Sequence, residues 1–242
     1  MNCTIEVLYP EVCTIFGDSG NMRYLYRCLP EAKWIKTELN DKPYFVDNDD
    51  VSMIYIGTMT EQTQKMVIKR LMPYSQRIKE LIDNGTVFLA TGNALEIFGA
   101  YIEDTTEGVA NVLECLGIFS IITKRDEKNR IFSLVLGNHE DLEMVGFRAQ
   151  FTQSFIAELD KPFLNVTRGL GMNEKSNIDG IQQNNFYGTY LLGPILVLNP
   201  YFTKNLIKKI TGEDVPLALE ENVIAAYNKR LEEFKDSKVH IH

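Results

Sequence analysis

At 242 residues, 45% hydrophobic and 24% charged, the chain has the composition of an ordinary globular protein with room for a sizeable core. Its net charge of −8 disfavours nucleic acid, since phosphate contacts need clustered Lys and Arg. No apolar run approaches the roughly 18 residues a membrane span requires, and no charged N-terminal region precedes an apolar one, so a cytoplasmic chain without membrane attachment is expected.

The first hundred residues alternate strand and helix patterns. Residues 5–8 form a short apolar run ended by Pro10, and residues 14–16 lead into the polar loop Gly17-Asp18-Ser19-Gly20-Asn21. A helix is expected over 22–29, strands over 33–38 and 51–56, a helix after loop 57–62 running through Leu71, and another over 74–83. Asn84-Gly85 is a good helix stop. Such alternation implies a parallel sheet whose ligands bind beyond the C-terminal strand ends, where loops 17–21, 57–62 and 91–93 fall.

The run Val87-Phe88-Leu89-Ala90 then breaks at Thr91-Gly92-Asn93 and resumes with helical spacing at Ala94, Leu95, Ile97 and Phe98. A strand, a one-residue corner and a helix make the shape of a nucleophile elbow, whose corner takes a strained conformation. Here the corner is Gly92, for which a positive φ is expected and which has no side chain to react. Asn93 and Glu96 are spaced as a capping box. Thr91, one residue earlier, reads as an inward-pointing β-branched strand residue.

Beyond Gly99, strands are expected over 112–123, 131–137, 145–155, 163–166 and 185–191, with a charged turn over 124–130 and a glycine-rich loop over 169–180. Helices over 201–211 and 217–236 close the chain, the basic residues at 204–209 forming a solvated face, and 237–242 read as a frayed tail. No linker or repeat interrupts 1–242, so one domain is expected. The four cysteines lack C-x-x-C spacing and read as buried thiols, so neither a metal site nor a cofactor is expected. His139 is the one histidine inside the fold and reads as a surface turn beside Glu140 and Asp141.

Several blocks in order resemble the class I glutamine amidotransferases of the cobyric acid synthase type, and within them most the glutaminase subunits of lipid II isoglutaminyl synthases. Leu8-Tyr9-Pro10 with Gly17-Asp18-Ser19-Gly20-Asn21 is similar to Y-P…Y-G-D-x-G-N. Ile56 to Gln62 stands at the G-G-G-x-D-x-x-Q loop, and Val145-Gly146-Phe147 at G-F-E-N-H. Gly169-Leu170-Gly171-Met172-Asn173 through Asp179-Gly180 resembles G-x-G-N-N…D-G. Tyr187-Gly188-Thr189-Tyr190-Leu191-Leu192-Gly193-Pro194 with Asn199-Pro200 resembles G-T-Y-L-H-G-P…N-P. The resemblance implies a three-layer, flavodoxin-like α/β sandwich with a mostly parallel sheet.

It also implies what has been lost. Against the family's C-G-G-Y-Q-L-L-G, Gly92 stands at the catalytic cysteine, and Leu192 stands at the histidine of G-T-Y-L-H-G-P. Thr58 and Met59 follow Gly57 where the family has glycines. The arginine that holds glutamine has no clear counterpart, with Leu134 near its place and Arg130 further back. Amide hydrolysis by this route needs a thiolate and an imidazole, so no catalytic residue is assigned. Gly57, Thr58, Thr91, Gly92, Asn93, Arg148, Tyr190 and Leu192 are the implied binding positions for a glutamine-like small molecule. If the pocket has closed, Asn93, Glu96 and Met59 are the expected obstructions.

Three functions fit these residues. The first is an inactive glutaminase-type subunit serving a ligase or synthetase partner, in a cell-wall precursor or cobyrinate-type amidation. The second is an active amidotransferase-like enzyme with shifted chemistry. The third is a sensor using the old glutamine pocket. A ligase partner, ammonia release, and ligand-induced stabilisation without turnover respectively distinguish them.

Overall fold

The structure, a computed structural model, describes residues 3–105, 111–125 and 130–240. The tip of the expected charged turn, 126–129, and His242 lie outside the described residues. The chain opens with β1 (Thr4–Leu8), α1 (Ser19–Cys28), β2 (Lys33–Thr37), β3 (Val51–Ile56), α2 (Glu61–Leu71), α3 (Ser75–Asp83), β4 (Val87–Thr91) and α4 (Ala94–Ile97). Strands β5 (Tyr101–Asp104), β6 (Asn111–Glu114), β7 (Ile122–Arg125), β8 (Ile131–His139), β9 (Leu142–Gln150) and β10 (Thr152–Phe155) follow. Then come β11 (Leu164–Arg168), β12 (Ile178–Asp179), β13 (Ile181–Gln183) and β14 (Phe186–Thr189), and finally α5 (Ile195–Leu198), α6 (Pro200–Thr211) and α7 (Glu220–Lys235).

The central sheet has the order β13-β14-β4-β3-β1-β2. Every pair in it is parallel except the edge hairpin β13–β14. Alternate side chains serve opposite faces. Leu8, Ile54, Ile56, Phe88 and Ala90 pack with Val67, Ile68 and Leu71 of α2 and Ile78, Leu81 and Ile82 of α3. Ile5, Val7, Met53, Tyr55, Val87 and Leu89 pack with Met22 and Leu25 of α1 and Phe202, Leu206 and Ile207 of α6. Burial on both faces is why β4 reads as an unbroken apolar run. These layers are the expected sandwich, and the parallel strands deliver loops 17–21, 57–62 and 91–93 to one edge.

Two further sheets, β10-β7-β5-β6 and β12-β11-β8-β9, are built from the middle of the chain. Here the sequence expectations need correcting. The strand expected over 112–123 is two strands, β6 and β7. Between them Cys115, Leu116, Phe119 and Ile121 are buried around α4, with Leu116 N–H on the Ile97 carbonyl and Phe119 N–H on that of Phe98. Gly117, at φ +64, makes the turn that lets an apolar run wrap a helix end instead of extending. The strand expected over 145–155 is also two, β9 and β10, in different sheets. The tail expected to fray from 237 is bonded as far as Val239, whose carbonyl accepts from Arg168 Nη2 at 2.7 Å.

His139 is not a surface histidine. It is buried at the end of β8, with ring centroids 4.6 Å from Phe163, 5.9 Å from Tyr187 and 5.3 Å from Phe202. Its Nδ1 lies 2.7 Å from the Phe163 carbonyl oxygen. Burial disfavours the imidazolium and holds the pKa below 6.5. The unfolded chain therefore binds the proton more readily, so this stability is present above about pH 6.5 and is lost as pH falls through the folded value. Urea unfolding of His139→Phe against wild type at pH 5 and pH 7 is expected to show a shallower pH dependence in the variant. Equal slopes would contradict the buried neutral imidazole.

Candidate functional site

The three loops meet on one carboxylate. Asp18, fully buried at the start of α1, accepts from Thr58 N–H (2.8 Å), Thr58 Oγ1 (2.8 Å) and Thr91 Oγ1 (2.5 Å) through Oδ2. Its Oδ1 accepts from Asn21 Nδ2 at 2.7 Å. The Tyr55 hydroxyl donates to the Asp18 carbonyl at 3.1 Å and lies 3.2 Å from Thr91 Oγ1. Burial pushes the Asp18 carboxyl up, against donors that favour its charged form. Gly57 has to be glycine because a Cβ there would stand 2.4 Å from the Cys13 carbonyl oxygen and 3.0 Å from Asp18 Oδ2. Thr91, read as an inward-pointing strand residue and as an implied binding position, joins the elbow to this junction.

The elbow is where the chain was expected to turn. Gly92 has φ +59, and its N–H donates to the Thr189 carbonyl at 2.8 Å. The space beside it is taken. A Cβ on Gly92 would stand 2.5 Å from Thr58 Oγ1 and 2.8 Å from Thr58 Cγ2. At the Cβ position the obstruction is Thr58, which Asp18 grips by backbone and hydroxyl, while the expected Asn93, Glu96 and Met59 line the cavity beside it. There is no capping box. The Asn93 side chain bridges to Met59 instead, accepting from its N–H at 3.0 Å and donating to its carbonyl at 2.8 Å. The following helix, α4, is a single turn.

Next to the elbow lies a cavity of about 110 Å³, walled by Thr58, Met59, Thr60, Asn93, Glu96, Arg125, Gln150 and Thr152, with Phe16 and Phe151 among its apolar residues. Its floor is a buried polar network. Glu96 accepts from Thr152 Oγ1 (2.7 Å) and the Tyr190 hydroxyl (2.9 Å) on one oxygen, and from Gln64 Nε2 (2.8 Å) on the other. Arg125 donates to Gln64 Oε1 and, at 3.0 Å, to Asp104, with Glu96 Oε2 at 3.9 Å. Burial raises the Glu96 pKa, opposed first by Arg125 and then by the hydroxyls and amide. Among the described residues no group of His, Cys, Asp and Glu is arranged to hold a metal.

This arrangement of elbow, loops and sheet has known relatives. Residues 4–199 match the CobB/CobQ-like glutamine amidotransferase domain. The chain belongs to that family. It is 25% identical over 241 residues to the lipid II isoglutaminyl synthase (glutamine-hydrolyzing) subunit GatD of Streptococcus pneumoniae, across 97% of this chain and 91% of the relative. It is 29% identical over 212 residues to the subunit of that name in Staphylococcus aureus, across 85% and 83%. Among solved structures it is similar to PurLQS from Thermotoga maritima, with a TM-score of 0.53 and 13% identity over 96% of this chain and all of that one. A glutamine amidotransferase from the same organism gives 0.53 and 10%, over 96% and 92%. At such identities these structures speak for the fold.

For this amidotransferase-family chain, the implied binding positions separate into three groups. Thr58 and Asn93 line the cavity. Gly57, Thr91 and Gly92 belong to the Asp18 junction. Arg148, Tyr190 and Leu192 are buried and do not reach the cavity wall. Arg148 pairs with Asp179 and lies 5.7 Å from the Tyr190 ring centre. Tyr190 reaches the site through its bond to Glu96. Leu192 exchanges backbone hydrogen bonds with Phe147 (2.9 and 3.2 Å). Of the two positions weighed for the glutamine-holding arginine, Leu134 is half-buried in β8 against the cluster of Leu136, Val145, Tyr227 and Phe234, whereas Arg130 lies over the rings of Phe132 and Phe151.

Sequence reasoning missed Gln64, Arg125, Gln150 and Thr152. Gln64 carried a signal, since it shares the 64, 67, 68, 71 face that α2 buries. Arg125 was hidden by its charged neighbours. It reads as part of an exposed turn, yet strand alternation puts it on the inner face with Thr123.

Thr91→Val removes one hydroxyl donor from Asp18 while keeping the side chain's shape. It is expected to cost about 1–2 kcal/mol, and Asp18→Ala, which strands four buried donors, at least about 3 kcal/mol. Urea unfolding checks both. Losses below about 0.5 kcal/mol for Asp18→Ala would show that the junction is not structural.

Proposed function

We propose that the chain is a glutaminase-type subunit that no longer hydrolyses glutamine and serves a ligase or synthetase partner in the cytoplasm, in the amidation of a cell-wall precursor. The observation that carries this reading is the elbow. Its corner residue has no side chain, and Thr58 fills the place where a nucleophile's Cβ would stand. The other cysteines do not favour a thiolate either: all four are buried, and burial pushes the pKa of Cys3, Cys13 and Cys28 up and that of Cys115 up to about 12. Reactive cysteines need the opposite environment. Leu192 offers no proton carrier, and His139 is buried among aromatic rings as a neutral imidazole. The choice of partner and pathway is supported by the names of the relatives, both subunits of lipid II isoglutaminyl synthase.

Without nucleophile or base, what remains is binding and backbone donors. In a triad enzyme such a residue of function retains about 10³–10⁴-fold over water, far short of a useful rate on an unreactive amide. Ammonia release from glutamine by the purified wild-type protein is therefore expected to equal that of a buffer blank. Turnover on the order of 1 s⁻¹ or faster, the range of working enzymes, would overturn the reading.

A further inference from the structure

The proposed loss of chemistry leaves open whether the cleft still receives a carboxamide. In a strand–turn–helix elbow, backbone N–H groups from the turn and from a neighbouring loop receive the carbonyl oxygen of the substrate as it becomes an oxyanion. The neighbouring loop here is 57–60, which follows β3. Its Met59, one residue beyond Thr58, lines the cavity and carries a backbone N–H donor. That donor is already used by a carboxamide of the chain itself. Asn93 Oδ1 accepts from Met59 N–H at 3.0 Å, and Asn93 Nδ2 donates to Met59 O at 2.8 Å.

We propose that Asn93 is an internal occupant of the elbow. Its primary carboxamide, the same group that glutamine carries, fills the donor a substrate amide would use and so closes the cleft to free carboxamides. Three features hold it there. The Asn93 carbonyl accepts from Gln64 Nε2 at 2.6 Å, which fixes the backbone from which the side chain reaches back. Gln64 is itself held by Glu96 and Arg125. Both polar ends of the carboxamide are satisfied by a single residue, so an incoming amide gains no net hydrogen bond by displacing it and must also free the side chain. The arrangement rests on the reading that the elbow has lost its nucleophile, because an active elbow needs this donor empty for its substrate. It also separates the two unreactive alternatives: a sensor of glutamine would keep the donor open.

The test follows the Met59 amide by NMR in the full-length protein. In wild type its hydrogen exchange is expected to be slow, and its resonance unmoved by L-glutamine or acetamide at millimolar concentration. In Asn93→Ala the exchange is expected to accelerate about tenfold for the loss of one hydrogen bond, and the resonance to shift on titration with either amide. Asn93→Gly is expected to behave alike, and a far-ultraviolet spectrum matching wild type shows that each variant is folded. A wild-type Met59 resonance that shifts with glutamine would overturn the proposal. So would folded Ala and Gly variants whose Met59 amide neither exchanges faster nor responds to amides. Ammonia release is a separate readout, so glutamine binding without turnover overturns this inference and leaves the loss of catalysis standing.

Discussion

The site depends on the burial of one carboxylate. Asp18 is withdrawn from water at the start of α1, and an isolated buried carboxylate costs several kcal/mol unless donors surround it. Thr58, Thr91 and Asn21 supply those donors from three separate segments. Each segment begins beyond the C-terminal end of a parallel strand or closes onto one. The need to satisfy Asp18 therefore fixes how the ends of β1, β3 and β4 stand relative to one another. It also fixes Thr58, and through Thr58 the state of the elbow.

At the elbow, strain and packing point the same way. A side chain at φ +59 costs on the order of 1–3 kcal/mol where the surroundings hold it, and Gly92 removes that cost. Once the Cβ is gone, its space can be filled, and the threonine methyl and hydroxyl fill it while the hydroxyl adds a hydrogen bond to Asp18 beside that of the Thr58 backbone N–H. Glycine at 92 and threonine at 58 thus form a complementary pair: each is tolerated because of the other. The Asn93 bridge to Met59 satisfies the neighbouring loop's backbone in the same fashion. A catalytic elbow keeps such groups empty and strained for its substrate, whereas here they are spent on internal contacts.

Much of this was legible in the residues. The apolar runs of β1, β3 and β4 and the stop at Asn84-Gly85 gave the parallel half of the fold, because strands buried on both faces leave a continuous signal. Gly92 as corner followed from the break after Ala90. The middle of the chain was harder, since the apolar run at 115–121 looks like a strand but spends its side chains on the end of α4, a choice only tertiary contacts decide. Polar burial was hardest. His139, Gln64 and Arg125 all sit beside charged or polar neighbours in sequence, and what buries them is a partner distant in the chain: Phe163 and Phe202 for the histidine, Asp104 and Glu96 for the arginine. Thr58 looked like a simple loss of glycine, and its contact with residue 92 spans two helices and a strand of chain.

The most direct test of this account is a double-mutant cycle in stability between Gly92→Ala and Thr58→Gly, measured by urea unfolding. If Thr58 occupies the nucleophile's place, alanine at 92 is destabilising in wild type through both strain and overlap, and the overlap part vanishes when residue 58 is glycine. A coupling of about 1 kcal/mol or more, within the range for residues in contact, is expected, with the double variant more stable than the sum of single effects. Additive losses, with no coupling beyond about 0.3 kcal/mol, would show that the space beside Gly92 is free and that the elbow is not closed by Thr58.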